Sequence, residues 1–505
     1  MAKGYLLGVD IGTYESKGVL TTLDGEIVSV QVRPHNLSIP RPGWAEHDAE
    51  QVWWQDFCSI VQGLLAESKV DPKEIHGVGC SAIGPCMLPV DQKGNPMRQG
   101  ILYGIDTRAT AEIAELEEVL GADRIYDVCG ATLSAQSVGP KILWERHHEP
   151  EIYQAAHKFV TSTTFLVARL TGNYYIDHYT AASFHPLYDL AKREWNPELA
   201  APIVEVDRLP ELGWTTDIAG TVTREAAAQT GLAEGTPVII GTVDAAAEAV
   251  SVGVVSPGQI MIMYGSTVFM IEVLAQPKVD PRLWSAPYLF PGTHCMMAGM
   301  ATSGALTRWF RDHFAKDLVM QEQETGINAY GQLAQEAAQA PPGAEGLIVL
   351  PYFSGERTPI NDPRAKGVIM GLTLAHTRGH VYRAILEGIG YGINHHFQVL
   401  KEIGVSPHTA VAVGGGTKNP LWLQIVSDIC NTVQLVPAVT IGASYGDAFL
   451  AGLGVGVFST YRDIAQWLKE IKEVRPNPDV VEIYQKQYEL YLKTYQQTKE
   501  IMHDI

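Results

Sequence analysis

The chain has 505 residues, 46% hydrophobic and 18% charged, proportions of a globular protein. A single core stops growing at roughly 250–300 residues, so this length calls for two domains of similar size. With 37 Lys+Arg against 56 Asp+Glu the formal net charge is −19. That balance argues against nucleic acid and membrane surfaces as partners, while small anions remain open to helix N-termini and backbone amides.

From the start, Tyr5 to Asp10 is a short apolar run ending in an acid and a Gly12-Thr13 turn. Gly18–Thr22 and Ile27–Val30 follow, separated by Asp24-Gly25, and predict three strands joined by hairpins. In the segment from Gly8 to Lys17, Gly12, Thr13 and Ser16 can offer amides and hydroxyls to phosphate oxygens. Lys17 adds a mobile positive charge, and Asp10 is a hard carboxylate able to hold Mg²⁺ through water. An ordinary glycine-turn hairpin explains the same pattern. It is no Walker loop, because the turn precedes a strand rather than a helix.

Trp53, Phe57, Ile60, Val61 and Leu64 stand at helical spacing, and Ile75–Cys80 reads as a strand. The six cysteines are scattered without a CxxC pair, which predicts small buried hydrophobes in a reducing compartment. With no apolar run of ~18 residues and no leader-like opening, a cytoplasmic location is expected.

The second half repeats the grammar. Val238–Thr242 leads to Asp244 and a small-residue stretch, a helix start in which Asp244 serves as N-cap or as a general base. Gln259–Tyr264 delivers Gly265-Ser266-Thr267, a second turn able to cradle phosphate. Leu347–Leu350 and Ala410–Val413 are further apolar strands. Gly414, Gly415 and Gly416 leave a flat backbone against which adenine or ribose can lie, with Asn419 as a polar contact. A flexible loop is the plainer account of those glycines. From Val480 the tail reads as one amphipathic helix with Tyr484, Tyr488, Leu492 and Tyr495 on its apolar face. Alternating strands and helices indicate α/β architecture.

Together these segments resemble the FGGY family of carbohydrate kinases, within the sugar kinase, heat-shock chaperone and actin superfamily. Gly8–Lys17 resembles the family's first phosphate motif, and Gly139–Trp144 its Lys-x-x-Trp signature. Leu350–Pro359 is similar to the same stretch in xylulokinases. Gly367–Leu372 with His380–Glu387 resembles the second signature, and the triple glycine the adenosine motif. The matches run in family order from Gly8 to Ala448.

The resemblance implies an α/β fold of two actin-like ribonuclease-H-type domains with a cleft between them. Residues 1–245 would bind the sugar and 246–505 the nucleotide. It implies ATP and Mg²⁺ as cofactors, Asp244 as catalytic base in touch with the substrate, Asp10 as the metal-linked acid, and Gly265-Ser266-Thr267 as the second phosphate loop. The sugar side departs from the pattern: Gly84-Pro85 stands where xylulokinases carry Met-His and glycerol kinases Arg-Glu. Asp106, Arg108 and Gln136 are the expected sugar contacts, although a surface helix start would also explain Arg108. The expected activity is ATP-dependent phosphorylation of a small sugar or polyol, a ketose such as a pentulose first, with a homodimer allowed. The alternative is a non-catalytic, ATP-binding regulatory member of the superfamily.

Overall fold

The computed structural model describes residues 4–438 and 441–505. They form two compact units. The first takes the chain up to Ser256, with Val273–Cys295 and Ile441–Leu468; the second takes Pro257–Glu272, the stretch from Met296, and the chain from Lys469 onward.

In the first unit, Tyr5–Ile11, Glu15–Thr22 and Ile27–Pro34 make the expected antiparallel meander, with Val9 opposite Gly18 and Val19 opposite Val30. Tyr5–Ile11 also pairs in parallel with Ile75–Ala82, setting Asp10 opposite Ser81. Thr242–Val243 pairs with the end of that same strand, Thr242 opposite Ser81. Pro237–Ile239 and Ile218–Thr221 complete the sheet. This register gathers Asp10, Ser81 and the start of the Asp244 helix at the carboxyl ends of parallel strands, where open α/β sheets bind ligands.

Leu6, Leu7, Val9 and Ile11 are all buried, because the strand is covered on both faces. Side chains alternate between faces with period two, and two glycines of the hairpin report what covers each. A Cβ on Gly18 would fall 2.2 Å from Ile60 Cγ2 of the helix Gln55–Ser68. A Cβ on Gly8 would fall 1.9 Å from the carbonyl oxygen of Ser444, in the helix Ala443–Gly454, and one on Gly79 2.2 Å from that of Asp447. Helix main chain thus rests directly on a glycine floor.

The second unit repeats the scheme. Gln259–Tyr264 forms a hairpin with Val268–Leu274, Met263 opposite Phe269, and lies parallel to Thr409–Val413. Gln434–Pro437 and Ile471–Val474 extend the sheet. Ile348–Leu350 leaves it and pairs with Val368–Met370. The tail helix, Val481–Asp504, buries Tyr484, Tyr491 and Tyr495, with the Tyr491 hydroxyl 2.7 Å from that of Tyr352. Tyr491 thus takes the inward place expected of Leu492, which is only half-buried. All six cysteines are free, four of them fully buried. Among the described residues no helix is long and apolar enough to cross a membrane.

Candidate active site

An acidic corner forms at the strand ends of the first unit. Ser81 Oγ lies 2.7 Å from Asp447 Oδ2 and 3.1 Å from Asp10 Oδ1. One hydroxyl carries one proton, so it serves one carboxylate at a time. Asp447 is fully buried, and its Oδ1 has no hydrogen-bond partner among the described residues. Burial, then the charge of Asp10, hold its carboxyl well above the usual range. Burial and then Asp244 do the same to Asp10.

Asp244 is the first residue of the helix Asp244–Ser251, one place inside the Val243 cap. Its Oδ1 accepts the Ala245 amide at 2.7 Å, and burial pushes its pKa up to about 6. Glu248, one turn further on, is raised to about 7, chiefly by burial and against the pull of Lys17. Beneath them Asp177 accepts from Thr242 at 2.8 Å and Thr215 at 3.1 Å, fixing the segment that carries Asp244.

Among the described residues no group of three or more His, Cys, Asp or Glu could hold a metal ion. A cation at this corner would take one or two carboxylates and complete its shell with water and substrate oxygens. Mg²⁺ binds in that way, so Asp10 and its acidic neighbours fit it.

The phosphate-motif residues divide. Gly12 and Thr13 form the turn between the first two strands, closed by the Gly12 amide donating to Glu15 O at 3.0 Å. Thr13 Oγ1 lies 3.3 Å from the Tyr103 hydroxyl. Lys17 is half-exposed and 3.6 Å from Glu15. Ser16 is turned the other way: its hydroxyl is buried and donates to Asp56 at 2.8 Å.

Asp106 and Arg108 are buried partners. Asp106 Oδ2 accepts the Ala45 amide at 2.7 Å and Arg108 Nη2 at 2.7 Å, while Oδ1 accepts the Arg108 amide and Nε. Arg108 also pairs with Glu46 at 2.8 Å and lies 4.0 Å from the Trp44 ring centroid. Both carboxylate oxygens of Asp106 are therefore occupied from within, and Arg108 is no surface helix start. Gln136 Oε1 accepts the Gly104 amide at 3.1 Å. Lys141, buried and lowered by that burial to about 8, ties the Leu102 and Ala135 carbonyls together. These groups build the loops expected to meet the sugar.

In the second unit Gly265, Ser266, Gly415, Gly416 and Asn419 line one cavity of about 1050 Å³, at the upper end of small-molecule sites. Thr267 and Gly414 do not line it. Gly414 has φ +90°, and a Cβ there would meet Tyr264 O at 2.8 Å; Gly415 has open space in front of it. Asn419 caps the helix Pro420–Cys430 through Oδ1, leaving its amide nitrogen for a ligand.

Sequence reasoning had passed over Ser81, Asp177, Glu248 and Asp447. Only Glu248, four residues after Asp244 and so on the same helix face, carried a usable signal.

Comparison with known proteins agrees with this architecture. Residues 5–251 match the N-terminal domain of the FGGY family of carbohydrate kinases, and residues 260–455 its C-terminal domain. The chain is 29% identical to the xylulose kinase of Bacillus subtilis, covering 98% of both proteins. It is 30% identical to the autoinducer-2 kinase of an Enterobacter species, over 95% of this chain and 92% of that one. The crystal structure of a Rhodospirillum rubrum xylulose kinase superposes with a TM-score of 0.90 at 31% identity, covering 99% of this chain and 100% of that one. The protein belongs to the FGGY family of carbohydrate kinases and is a two-domain enzyme that phosphorylates a sugar with ATP.

Proposed function

We propose that the acceptor is a ketose, a pentulose first, and that Asp244 is the base that takes the proton of its attacking hydroxyl. The observation that carries this reading is the state of Asp244. Burial raises its pKa to about 6, so at pH 7 it is a carboxylate with enough basicity to accept a proton as phosphoryl transfer proceeds. Residues 1–245 serve the sugar and 246–505 the nucleotide. Gly12, Thr13 and Lys17 take phosphate oxygens, as do Gly265 and Ser266, which line the cavity while Thr267 does not. Gly415, Gly416 and Asn419 side the adenosine. Asp10 holds Mg²⁺ through water; when bound, the ion neutralises charge on the phosphates. Asp106, Arg108 and Gln136 serve the sugar by shaping its loops.

The pentulose reading draws support from the xylulose kinases among the relatives. The departure at Gly84-Pro85 bears on it, since a Cβ on Gly84 would lie 2.4 Å from Val243 Cγ1, one residue from Asp244. Pro85 donates no hydrogen bond, and a site stripped of its polar demands discriminates less. D-xylulose is therefore expected to be a secondary substrate. The enzyme works in the cytoplasm, and a homodimer is its proposed assembly. Sugar-dependent ADP release across pentuloses, hexuloses and polyols is the test. A pentulose with the highest kcat/KM supports the reading; a polyol or hexulose in first place refutes it, and D-xylulose at ~10⁶ M⁻¹s⁻¹ refutes the relaxed selectivity.

A further inference from the structure

The Gly12-Thr13 turn is held from behind by two histidines. His35 Nε2 lies 3.1 Å from the Gly12 carbonyl oxygen, and His47 Nε2 3.1 Å from that of Thr13. The next carbonyl, Tyr14, accepts the main-chain amide of His35 at 2.9 Å, and Glu15 O accepts the Gly12 amide. Four successive carbonyls therefore find donors inside the fold.

A carbonyl only accepts, so each Nε2 must carry a proton. For His47 the rest of the packing fixes that state. Trp53 Nε1 donates to His47 Nδ1 at 3.2 Å, which leaves Nδ1 as the acceptor and Nε2 as the protonated nitrogen. Burial, then His35, lower the His47 pKa to about 4, so the ring stays neutral. His35 Nδ1 faces Asp56 Oδ2 at 2.9 Å, the same oxygen that accepts from Ser16. The two rings meet edge to face with centroids 5.1 Å apart.

In a trans peptide the carbonyl and the following N–H point in opposite directions. Drawing the Gly12, Thr13 and Tyr14 carbonyls inward therefore turns the amides of Thr13, Tyr14 and Glu15 outward. Without that hold the Gly12–Thr13 peptide is free to rotate, because glycine tolerates either orientation at little cost. We propose that His35 and His47 are positioning residues for nucleotide phosphate: they lock the turn with its amides facing out, so that phosphate oxygens meet donors already aimed. This rests on reading the turn as a phosphate cradle.

The test compares full-length His47→Ala, His47→Gln, His35→Ala and Lys17→Ala with wild type, each first checked for an unshifted melting curve. Calorimetry then measures binding of the β,γ-imido analogue of ATP and, separately, of AMP. Losing one buried hydrogen bond should weaken the analogue about tenfold in His47→Ala and His35→Ala, whereas His47→Gln, whose amide nitrogen reaches the place of Nε2, should stay within about threefold. AMP lacks the β and γ phosphates, so its affinity should not move. A merely structural role would lower both ligands alike and would gain nothing from glutamine; either result overturns the proposal. If Lys17→Ala weakens the analogue and His47→Ala does not, the positioning role fails while the cradle stands. If neither has an effect, the cradle reading fails and the proposal with it. Should His47→Ala not fold, His35→Ala against His47→Gln gives the same decision.

Discussion

Asp244→Asn separates catalysis from stability, because the two should move in opposite directions. The folded protein holds the Asp244 proton up to about pH 6, against 3.8 for the free group. Between those values the folded state binds more protons than the unfolded one, so stability falls as pH climbs through this window and stays low above it. Two pKa units at 1.36 kcal/mol each come to about 3 kcal/mol. Asparagine cannot ionise and still offers Oδ1 to the Ala245 amide, so the variant should escape this penalty. At pH 8 it should melt above wild type, by roughly 2–4 °C for each kcal/mol in a unit of this size; below about pH 4 the two curves should coincide. Turnover should meanwhile fall at least ~10²-fold, the lower end for loss of a general base. In wild type, kcat/KM should drop about tenfold for each pH unit below about 6. Melting at pH 8 and pH 4, with sugar-dependent ADP release, decides it. Near-normal turnover, or a variant less stable than wild type at pH 8, would refute the reasoning.

Three further outcomes follow from the packing. Gly8→Ala should destabilise by more than the ~1–3 kcal/mol usual for overpacking, since the new methyl would stand 1.9 Å from a main-chain oxygen that has nowhere to go; a melting curve checks it, and an unchanged midpoint would show the helix free to shift. Gly415→Val should raise the KM for ATP and leave that for the sugar, because its Cβ points into open space on the cavity wall; equal effects on both would indicate a folding defect. Arg108→Ala should destabilise by about 3–5 kcal/mol, the cost of leaving Asp106 buried without its cation, while Glu46 keeps Arg98 at 2.7 Å; a stable variant altered only in KM for the sugar would restore Arg108 to direct contact.

Much of the fold was legible because the strands announce themselves. Tyr5–Ile11, Ile75–Ala82 and Gln259–Tyr264 are apolar runs bounded by turn residues, and both glycine-bearing turns lie where the register puts them. The acids at the end of a strand, Asp10 and Asp244, were visible for the same reason. Ser81 and Asp447 were not, since their meeting joins positions 366 apart in the chain and nothing in either neighbourhood encodes the other. Ser16 and Asp106 show a different limit. Residue type and spacing name a group that can bond a ligand, but only packing tells whether Asp56 or Arg108 has already claimed it. Tyr491 replaced Leu492 on the tail helix because a partner hydroxyl on Tyr352 lets a tyrosine go inward.

The glycine floor under the helix Ala443–Gly454 also sets an order of events during synthesis. The strands that carry Gly8 and Gly79 are complete by Ala82, while the helix that roofs them begins 361 residues later, at Ala443. At ~5–20 residues per second a ribosome needs roughly 20–70 s to make up that distance. For that whole interval one face of the first sheet, Leu6 with it, has no cover of its own, and a chain halted short of Ala443 would never acquire it. The first unit is thus the first begun and among the last closed, and its exposed face is where a chaperone would have to stand guard.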